Sequence, residues 1–301
     1  MVFIKAEIQN LDFLLMHLKQ SKNWGNYLET LGWESSYIPQ AVRIKPLLFW
    51  SVIKIQRPKE LSEDFFRKVD ILAKEHKALF VKIEPDVGED KELFSAFKYK
   101  KSREILSFSK TEIVDLAGSL GAVLKNCSKD TRQRIKKLNG ACYVEISELT
   151  SYQKLKDFYG LFCETARHKK FWAPSFSETN NKAKAFGKNG FLAVAYQNEK
   201  PAAAAFVLCE GDTAYYEHAA HSPKVLGDYP YIVLWNAIKE CKRRKMSFFD
   251  LCGVYDERFK RATKKWKKFS VFKRKWGGEE KSYPFSYVKN YSPFWFPFFL
   301  L

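Results

Sequence analysis

Helical and β-strand patterns alternate along this chain and then repeat in its second half, which restricts the folds that it can adopt. The first half contains β-rich runs, a helical pattern and a further strand, at residues 42–45, 51–55, 61–77 and 78–83. The second half contains a helix, three strands, a helix and a strand, near residues 151–168, 191–196, 202–210, 213–219, 231–245 and 248–252. This order predicts two successive α+β units with antiparallel meanders and covering helices, rather than a doubly wound parallel sheet.

The size of the chain agrees with two domains. Its 301 residues, 46% of them hydrophobic, can bury two cores of ordinary size. We expect the join between the domains near residue 147. A strand at residues 111–116 and a long basic helix at about 120–139 precede that join.

The charge of the chain indicates a polyanionic partner. Lys and Arg number 52 against 34 Asp and Glu, which gives a formal net charge of +18. Nucleic acid, a nucleotide-linked substrate and an anionic membrane face all fit such a charge. A basic surface without a partner is the alternative.

The sequence contains no pattern that is typical of a disulfide framework or a metal site. The six cysteines lie apart, without a CxxC pair, and predict buried thiols in a reducing compartment. The five histidines have no metal-ligand spacing, so we predict no metal site. The start of the sequence lacks the pattern of a signal peptide, and no run of about 18 apolar residues occurs. We therefore expect a cytoplasmic protein, with a place at the inner face of the membrane left open.

Several motifs, in order along the chain, resemble the FemABX family of peptidyltransferases. They are Leu31-Gly32-Trp33, Ile83-Glu84-Pro85, Thr131-Arg132-Gln133-Arg134-Ile135-Lys136, Trp235-Asn236-Ala237-Ile238, Phe249-Asp250-Leu251-Cys252-Gly253-Val254 and Phe272-Lys273-Arg274-Lys275-Trp276-Gly277-Gly278. The resemblance implies two GNAT-like acyltransferase domains without a coiled-coil arm, at residues 1–147 and 148–282, with 283–301 returning to the first. It implies transfer of an amino acid from aminoacyl-tRNA, without a cofactor, to an amine in the stem peptide of a peptidoglycan precursor.

The chemistry of aminoacyl transfer suggests a role for Lys273. The reaction passes through a tetrahedral oxyanion, so a fixed positive donor near the ester carbonyl accelerates it. The resemblance gives this role to Lys273 and implies that Phe272 shapes the pocket. Taken without the resemblance, a lysine in a basic run is most often a solvated charge.

A segment that combines basic and aromatic residues is the candidate tRNA-binding surface. Of the eighteen residues from Arg258 to Lys275, ten are Lys or Arg and none is acidic. They are Arg258, Lys260, Arg261, Lys264, Lys265, Lys267, Lys268, Lys273, Arg274 and Lys275. Cations that neutralise phosphates and rings that stack on bases are typical of proteins that bind single-stranded RNA. A basic surface loop over an aromatic core is the alternative.

Three residues outside this segment are further candidates. By the resemblance, Arg57 and His218 lie at the acceptor site, where the Arg57 guanidinium could bind a diphosphate. Glu84 could accept a proton from the attacking amine. Arg57 at a strand end and Glu84 before a proline could equally have structural roles.

The chain departs from the family at acceptor-binding positions, where it carries Ser35, Ala173 and Ser177. The precursor could therefore be nucleotide-linked or lipid-linked, and the sequence leaves open the amino acid transferred, the number of residues added and the oligomeric state. Two other functions stay open: an N-acyltransferase acting on another amine, and a non-catalytic RNA- or membrane-binding relative.

Two remaining segments bear on these alternatives. Residues 221–230 contain one glycine and two prolines, which disfavours a backbone cradle for the pyrophosphate of coenzyme A. The aromatic tail at residues 291–301 is too short and too rich in proline to span a bilayer. It predicts either packing on the first domain or contact with a membrane interface.

Overall fold

The computed structural model describes residues 17–88, 90–139 and 142–292. Its α-helices are α1 (Lys22–Glu29), α2 (Glu63–Glu75), α3 (Lys91–Ala96), α4 (Leu120–Asn126), α5 (Lys129–Leu138), α6 (Tyr152–Lys169), α7 (Phe176–Phe186), α8 (Tyr229–Arg243), α9 (Lys260–Thr263) and α10 (Lys267–Arg274). Its strands are β1 (Glu34–Tyr37), β2 (Ala41–Pro46), β3 (Ser51–Gln56), β4 (Ala78–Glu84), β5 (Lys100–Ser102), β6 (Lys110–Asp115), β7 (Tyr143–Ser147), β8 (Gly190–Gln197), β9 (Lys200–Glu210), β10 (Thr213–His221), β11 (Phe248–Asp250), β12 (Glu279–Ser282) and β13 (Ser286–Asn290). Short 3₁₀ turns lie at Leu18–Gln20, Glu257–Phe259 and Lys264–Trp266.

These elements form two compact units. Among the described residues, unit 1 comprises 17–109, 258–262 and 282–292, and unit 2 comprises 110–257 and 263–281. Unit 1 contains a six-stranded sheet in the order β1-β2-β3-β4-β13-β5. The alternating apolar residues of β2, β3 and β4 pack on the apolar face of α2, where Phe65, Phe66 and Val69 are buried.

Unit 2 contains a seven-stranded sheet in the order β12-β6-β11-β10-β9-β8-β7. Strands β8, β9 and β10 form an antiparallel meander that is buried along most of its length. Alanine residues at 193, 195, 203 and 205 keep one face of this meander flat, and the core helix α8 packs against it. The core of unit 2 also includes Trp276, which is fully buried.

The sheets of the two units combine antiparallel and parallel strand pairs in the same way. In unit 1 the neighbouring strands are antiparallel except for the parallel pair β3 and β4, and in unit 2 the neighbouring strands from β6 to β7 are antiparallel except for the parallel pair β10 and β11. In each case a helix connects the parallel strands, α2 in unit 1 and α8 in unit 2. The duplicated α+β fold with mainly antiparallel sheets is therefore confirmed. Within the described residues, no helix has the length and apolar composition that crossing a membrane would require.

The division between the units differs from the predicted join near residue 147. Residues 110–147 lie in unit 2, because β6 hydrogen-bonds with β11 and β7 with β8. The predicted return of the chain to the first unit is seen in β13, which pairs with β4 and β5. Of the aromatic tail, residues 293–301 lie outside the described residues.

The basic helix predicted at about 120–139 is two helices. Helix α4 ends at Asn126, and the hydroxyl of Ser128 accepts a hydrogen bond from the backbone N–H of Thr131 at the start of α5. Serine at this position begins a new helix by satisfying one of its free N–H groups. The interruption at Cys127 and Ser128 was not visible in the charge pattern.

Candidate functional site

An opening between two strands of unit 2 positions the candidate site. Strands β10 and β11 pair in parallel only over Thr213–Tyr215 and Phe248–Asp250. Beyond that point β10 continues along β9 to His221, whereas β11 ends. The sheet is therefore split at the carboxyl end of β11, a place where α/β proteins commonly bind ligands.

The chain leaves β11 through a tight turn that a buried carboxylate holds. Cys252 and Gly253 have φ angles of 52° and 45°, in the left-handed region. The Oδ1 atom of Asp250 accepts a hydrogen bond from the Cys252 N–H at 2.7 Å and another from the Thr111 hydroxyl. Burial raises the pKa of Asp250, and these two hydrogen bonds oppose the rise.

Lys273 projects from α10 onto the same turn. Its ammonium donates hydrogen bonds to the carbonyl oxygen of Gly253 at 2.8 Å and to that of Cys252. Burial lowers the pKa of Lys273 to about 8, against the opposing attraction of Asp250. One turn earlier in the helix, the ring of Phe269 lies 4.8 Å from the ammonium. A cation with two fixed carbonyl partners thus lies at the end of β11, beside the opening in the sheet.

Two small polar residues explain how the basic segment is fixed in place. Ser270 is fully buried in α10, where its hydroxyl accepts the Tyr255 N–H at 2.7 Å and donates to the Trp266 carbonyl at 2.7 Å. Thr263, also fully buried, donates its hydroxyl to the carbonyl of Asp256 at 2.9 Å. These contacts attach the segment to residues 255–256 and leave Lys264, Lys265, Lys267 and Lys268 on the outside.

The exposed residues of this segment in unit 2 include four lysines, which we call the lysine row. The side chains are exposed and have no ion pair within the part of the chain that the structure describes: Lys264, Lys265, Lys267 and Lys268. Trp266 lies among them, half-buried and 6.1 Å from the ring of Phe269. The ammonium of Lys267 also lies 4.7 Å from the ring centre of Tyr255. Exposed cations beside accessible rings are suited to RNA.

Other candidates from the predicted tRNA surface have protein partners or belong to unit 1. Arg274 pairs with Glu280 at 2.6 Å, and Lys275 with Asp130 at 2.8 Å. Arg258 belongs to unit 1, where it donates to the carbonyl oxygens of Ser109 and Tyr283 at 2.9 Å each. Lys260 and Arg261 are exposed residues of unit 1.

Phe272 faces the core of unit 2. Its ring lies 5.0 Å from that of Tyr231 in α8, edge to face, and 6.0 Å from that of Trp276. These contacts hold α10 against α8. Phe272 therefore positions the helix that carries Lys273.

Glu84 and Arg57 lie in unit 1, so the structure does not bring them into one unit with Lys273. Glu84 is buried, and its Oε1 atom accepts the N–H groups of Leu106 at 2.6 Å and Ser107 at 3.2 Å. Arg57 is 2% exposed and lies 3.6 Å from the ring centre of Tyr283. Its guanidinium donates to the carbonyl oxygens of Pro85 and Phe108. Both side chains thus have the contacts that a structural role requires.

His218 lies next to an irregularity in β10. The register between β10 and β9 shifts between Tyr216 and His218, which leaves Glu217 at a bulge. The ammonium of Lys182 lies 2.8 Å from a Glu217 carboxylate oxygen and 3.4 Å from Nε2 of His218. The imidazole also packs on Phe162, with 4.9 Å between ring centres. His218 is thus part of a largely buried charged cluster in unit 2.

Sequence reasoning gave no role to Asp250 or Thr111, which fix the turn beneath Lys273. A lone acidic residue in the apolar strand Phe248–Asp250 was the available signal. In the described ranges 17–88, 90–139 and 142–292, no three His, Cys, Asp or Glu side chains are grouped so that they could hold a metal ion.

Known proteins share this fold. Residues 125–261 match a family described as acetyltransferase (GNAT) domain. The crystal structure of FemX superposes with a TM-score of 0.76 at 15% identity, covering 93% of this chain and 95% of that one. The C-terminal domain of a putative lysylphosphatidylglycerol synthetase from Agrobacterium fabrum gives 0.61 at 12% identity, covering 91% and 89%. No curated protein matches the sequence.

The solved structures with this fold also include a tandem GNAT protein. A tandem GNAT protein from the clavulanic acid biosynthesis pathway gives a TM-score of 0.55 at 10% identity, covering 84% of this chain and 79% of that one. At identities this low, the structural similarity establishes the fold alone. The chain therefore has the GNAT-like fold of FemX, which supports its resemblance to the FemABX proteins.

Proposed function

We propose that the chain transfers an aminoacyl group from aminoacyl-tRNA to an amine in the stem peptide of a peptidoglycan precursor. The observation that carries the proposal is the ammonium of Lys273, held on the carbonyl oxygens of Cys252 and Gly253 at the split end of β11. The similarity of the fold to FemX supports the same reaction class.

In this reaction the amine of the acceptor attacks the ester carbonyl of the charged tRNA. A C–N bond forms, the ester C–O bond breaks, and the proton lost by the amine ends on the ribose hydroxyl of the released tRNA. The carbonyl oxygen becomes an anion between these events. A cation close to that oxygen binds the transition state more tightly than the ground state, which is how Lys273 would accelerate the reaction.

The lysine row supports a tRNA donor. Its side chains stand exposed on the stretch that begins the helix of Lys273, so tRNA phosphates could bind there while the acceptor end approaches the ammonium. The rings of Trp266 and Phe269 offer faces for unpaired bases.

The start of α8 supports a donor other than coenzyme A. A pyrophosphate would need free N–H groups at this helix end. Pro230 has no N–H, and the Tyr231 N–H donates to the carbonyl of Asp228 at 2.9 Å. The Asp228 carboxylate adds negative charge at the helix start, where Arg134 pairs with it. No bound cofactor is needed for the proposed reaction.

The test is an incubation of the purified chain with a pool of aminoacyl-tRNAs labelled in the amino acid, together with nucleotide-linked or lipid-linked precursors. We expect a precursor whose stem peptide has gained at least one residue, as read by mass spectrometry. A parallel reaction with acetyl-coenzyme A should give no product. Specific acetyl transfer, or tRNA binding without any transfer to the precursors, would contradict the proposal.

A second candidate is transfer to an amine outside peptidoglycan precursors. The observation that favours it is the replacement of the family's acceptor-binding residues by Ser35, Ala173 and Ser177. Offering a mixture of amines with the same labelled aminoacyl-tRNAs separates the two candidates, because the labelled product identifies the acceptor.

A further inference from the structure

The hairpin that joins β2 and β3 ends in an apolar tip. Four consecutive residues form it, and their exposed fractions are 36% for Leu47, 88% for Leu48, 67% for Phe49 and 49% for Trp50. The tip is a closed turn, because the Leu47 N–H donates to the Trp50 carbonyl at 2.7 Å and Pro46 pairs with Ser51. The turn therefore holds these side chains away from the core of unit 1.

Turn residues are usually polar or glycine, since turns face water. A run of four large apolar residues at an exposed turn is unfavourable in water, and such a patch commonly marks a contact site. We accordingly treat the tip as a contact surface.

Charged residues lie at the same end of the sheet as the apolar tip. Ser51 pairs with Ala78 at the start of β4, and its N–H donates to the Lys77 carbonyl at 3.2 Å. Lys77 is exposed, as are Lys74 and Glu75 at the end of α2, so these three side chains together carry one net positive charge. A net positive charge therefore lies at the end of the sheet that carries the apolar tip.

We propose that the hairpin tip inserts into the interfacial layer of an anionic membrane. A protein partner would need a patch of about 20–30 residues, far larger than a four-residue tip. A bilayer has no such requirement, because a few leucine and aromatic side chains bury themselves at its interface while nearby lysines bind anionic headgroups. The net charge of +18 also attracts the chain to an anionic membrane.

The test measures binding of the full chain to vesicles of phosphatidylglycerol and phosphatidylcholine, and to vesicles of phosphatidylcholine alone, by co-sedimentation. We expect stronger binding to the anionic vesicles. The variant with Leu48→Ser, Phe49→Ser and Trp50→Ser should bind them at least tenfold more weakly. Vesicle binding requires neither tRNA nor acceptor, so this result is independent of the proposed function.

A matched control removes apolar side chains elsewhere. Trp172 and Leu226 of unit 2 are 75% and 89% exposed, and the variant Trp172→Ser with Leu226→Ser should bind vesicles as the unchanged chain does. Equal thermal unfolding temperatures would show that all variants fold.

Three results would overturn the proposal. The first is no binding of the unchanged chain to either vesicle. The second is equal binding by the hairpin variant, which would leave only an electrostatic attraction. The third is self-association that the hairpin changes abolish, without vesicle binding, which would assign the tip to a second copy.

Discussion

Replacing Lys273 by alanine should lower the turnover of aminoacyl transfer about a hundredfold or more, the usual loss for one oxyanion donor. The affinity for tRNA should change little, because the lysine row, rather than Lys273, is exposed for phosphate binding. Lys273→Arg should restore little of the turnover, since a planar guanidinium on a longer stem cannot place its charge at the same point. The reaction is measured at saturating aminoacyl-tRNA, so that binding and chemistry are separated.

The lowered pKa gives this prediction a pH dependence. Burial brings the pKa of Lys273 to about 8. At pH 7 about nine in ten molecules then carry the ammonium, and above pH 8 the charged fraction falls about tenfold for each pH unit. If the ammonium is the active form, turnover must decline as the pH rises through about 8. A neutral amine that acted as a base would give the opposite slope.

The variant Ser270→Ala is the matched control for a structural role. Ser270 joins the same helix to the chain at Tyr255 without contributing charge. Its loss should lower the free energy of unfolding by about 1–3 kcal/mol, because the Tyr255 N–H stays buried without its acceptor. Turnover at saturation should nevertheless stay within a few fold of normal.

Three outcomes would refute the assignment of Lys273. One is near-normal turnover of the alanine variant at saturating tRNA. Another is an equal loss in the Ser270→Ala variant, which would mean that the attachment of the helix, rather than the charge, is what matters. The third is a turnover that increases through pH 8.

Three further predictions concern the surface and the core. Changing all four residues of the lysine row to alanine should weaken tRNA binding and flatten its salt dependence by roughly 0.7–0.9 in the log–log slope for each phosphate that the row neutralises, and an unchanged slope would exclude this surface. Thr111→Val should lower the free energy of unfolding by about 1–3 kcal/mol in urea titrations, because the buried Asp250 carboxylate loses a hydroxyl donor. Gly277→Ala should be more harmful than Gly160→Ala in thermal unfolding, since Gly277 has a φ of 72° and an added Cβ would overlap the carbonyl of Asn126, whereas a Cβ at Gly160 has open space.

The fold could be predicted where one signal decided the local structure. The apolar spacing at residues 61–77 became α2, and the run at residues 78–83 became β4, which ends at Glu84 before Pro85. The join between the units could not be predicted in this way. It depends on the pairing of β6 with β11, whose paired residues lie more than 130 positions apart in the sequence, and such a pairing leaves no local pattern.

Part of the candidate site could also be predicted, because it too has a local sequence pattern. A basic and aromatic segment can be identified in a sequence, and the structure leaves its lysine row exposed. The acceptors of Lys273 could not be identified, because they are backbone carbonyl oxygens about twenty residues earlier, in a turn fixed by Asp250. Glu84 and Arg57 were chosen by the family resemblance, whereas their contacts depend on loops that the sequence does not place.

A tetrahedral analogue of the transition state offers a last test, because it supplies the anion that Lys273 is proposed to bind. Burial removes the ammonium from water and lowers its pKa to about 8, although two carbonyl oxygens accept its hydrogen bonds. An anion placed beside it should therefore favour the charged form and raise the pKa again. By linkage, a phosphonate that mimics the oxyanion should bind with constant affinity well below pH 8 and about tenfold more weakly for each unit above it. Isothermal titration between pH 6 and 10, with the Lys273→Ala variant as control, measures this. An affinity that does not change with pH, or a variant that shows the same slope, would place the ammonium away from the reacting carbonyl.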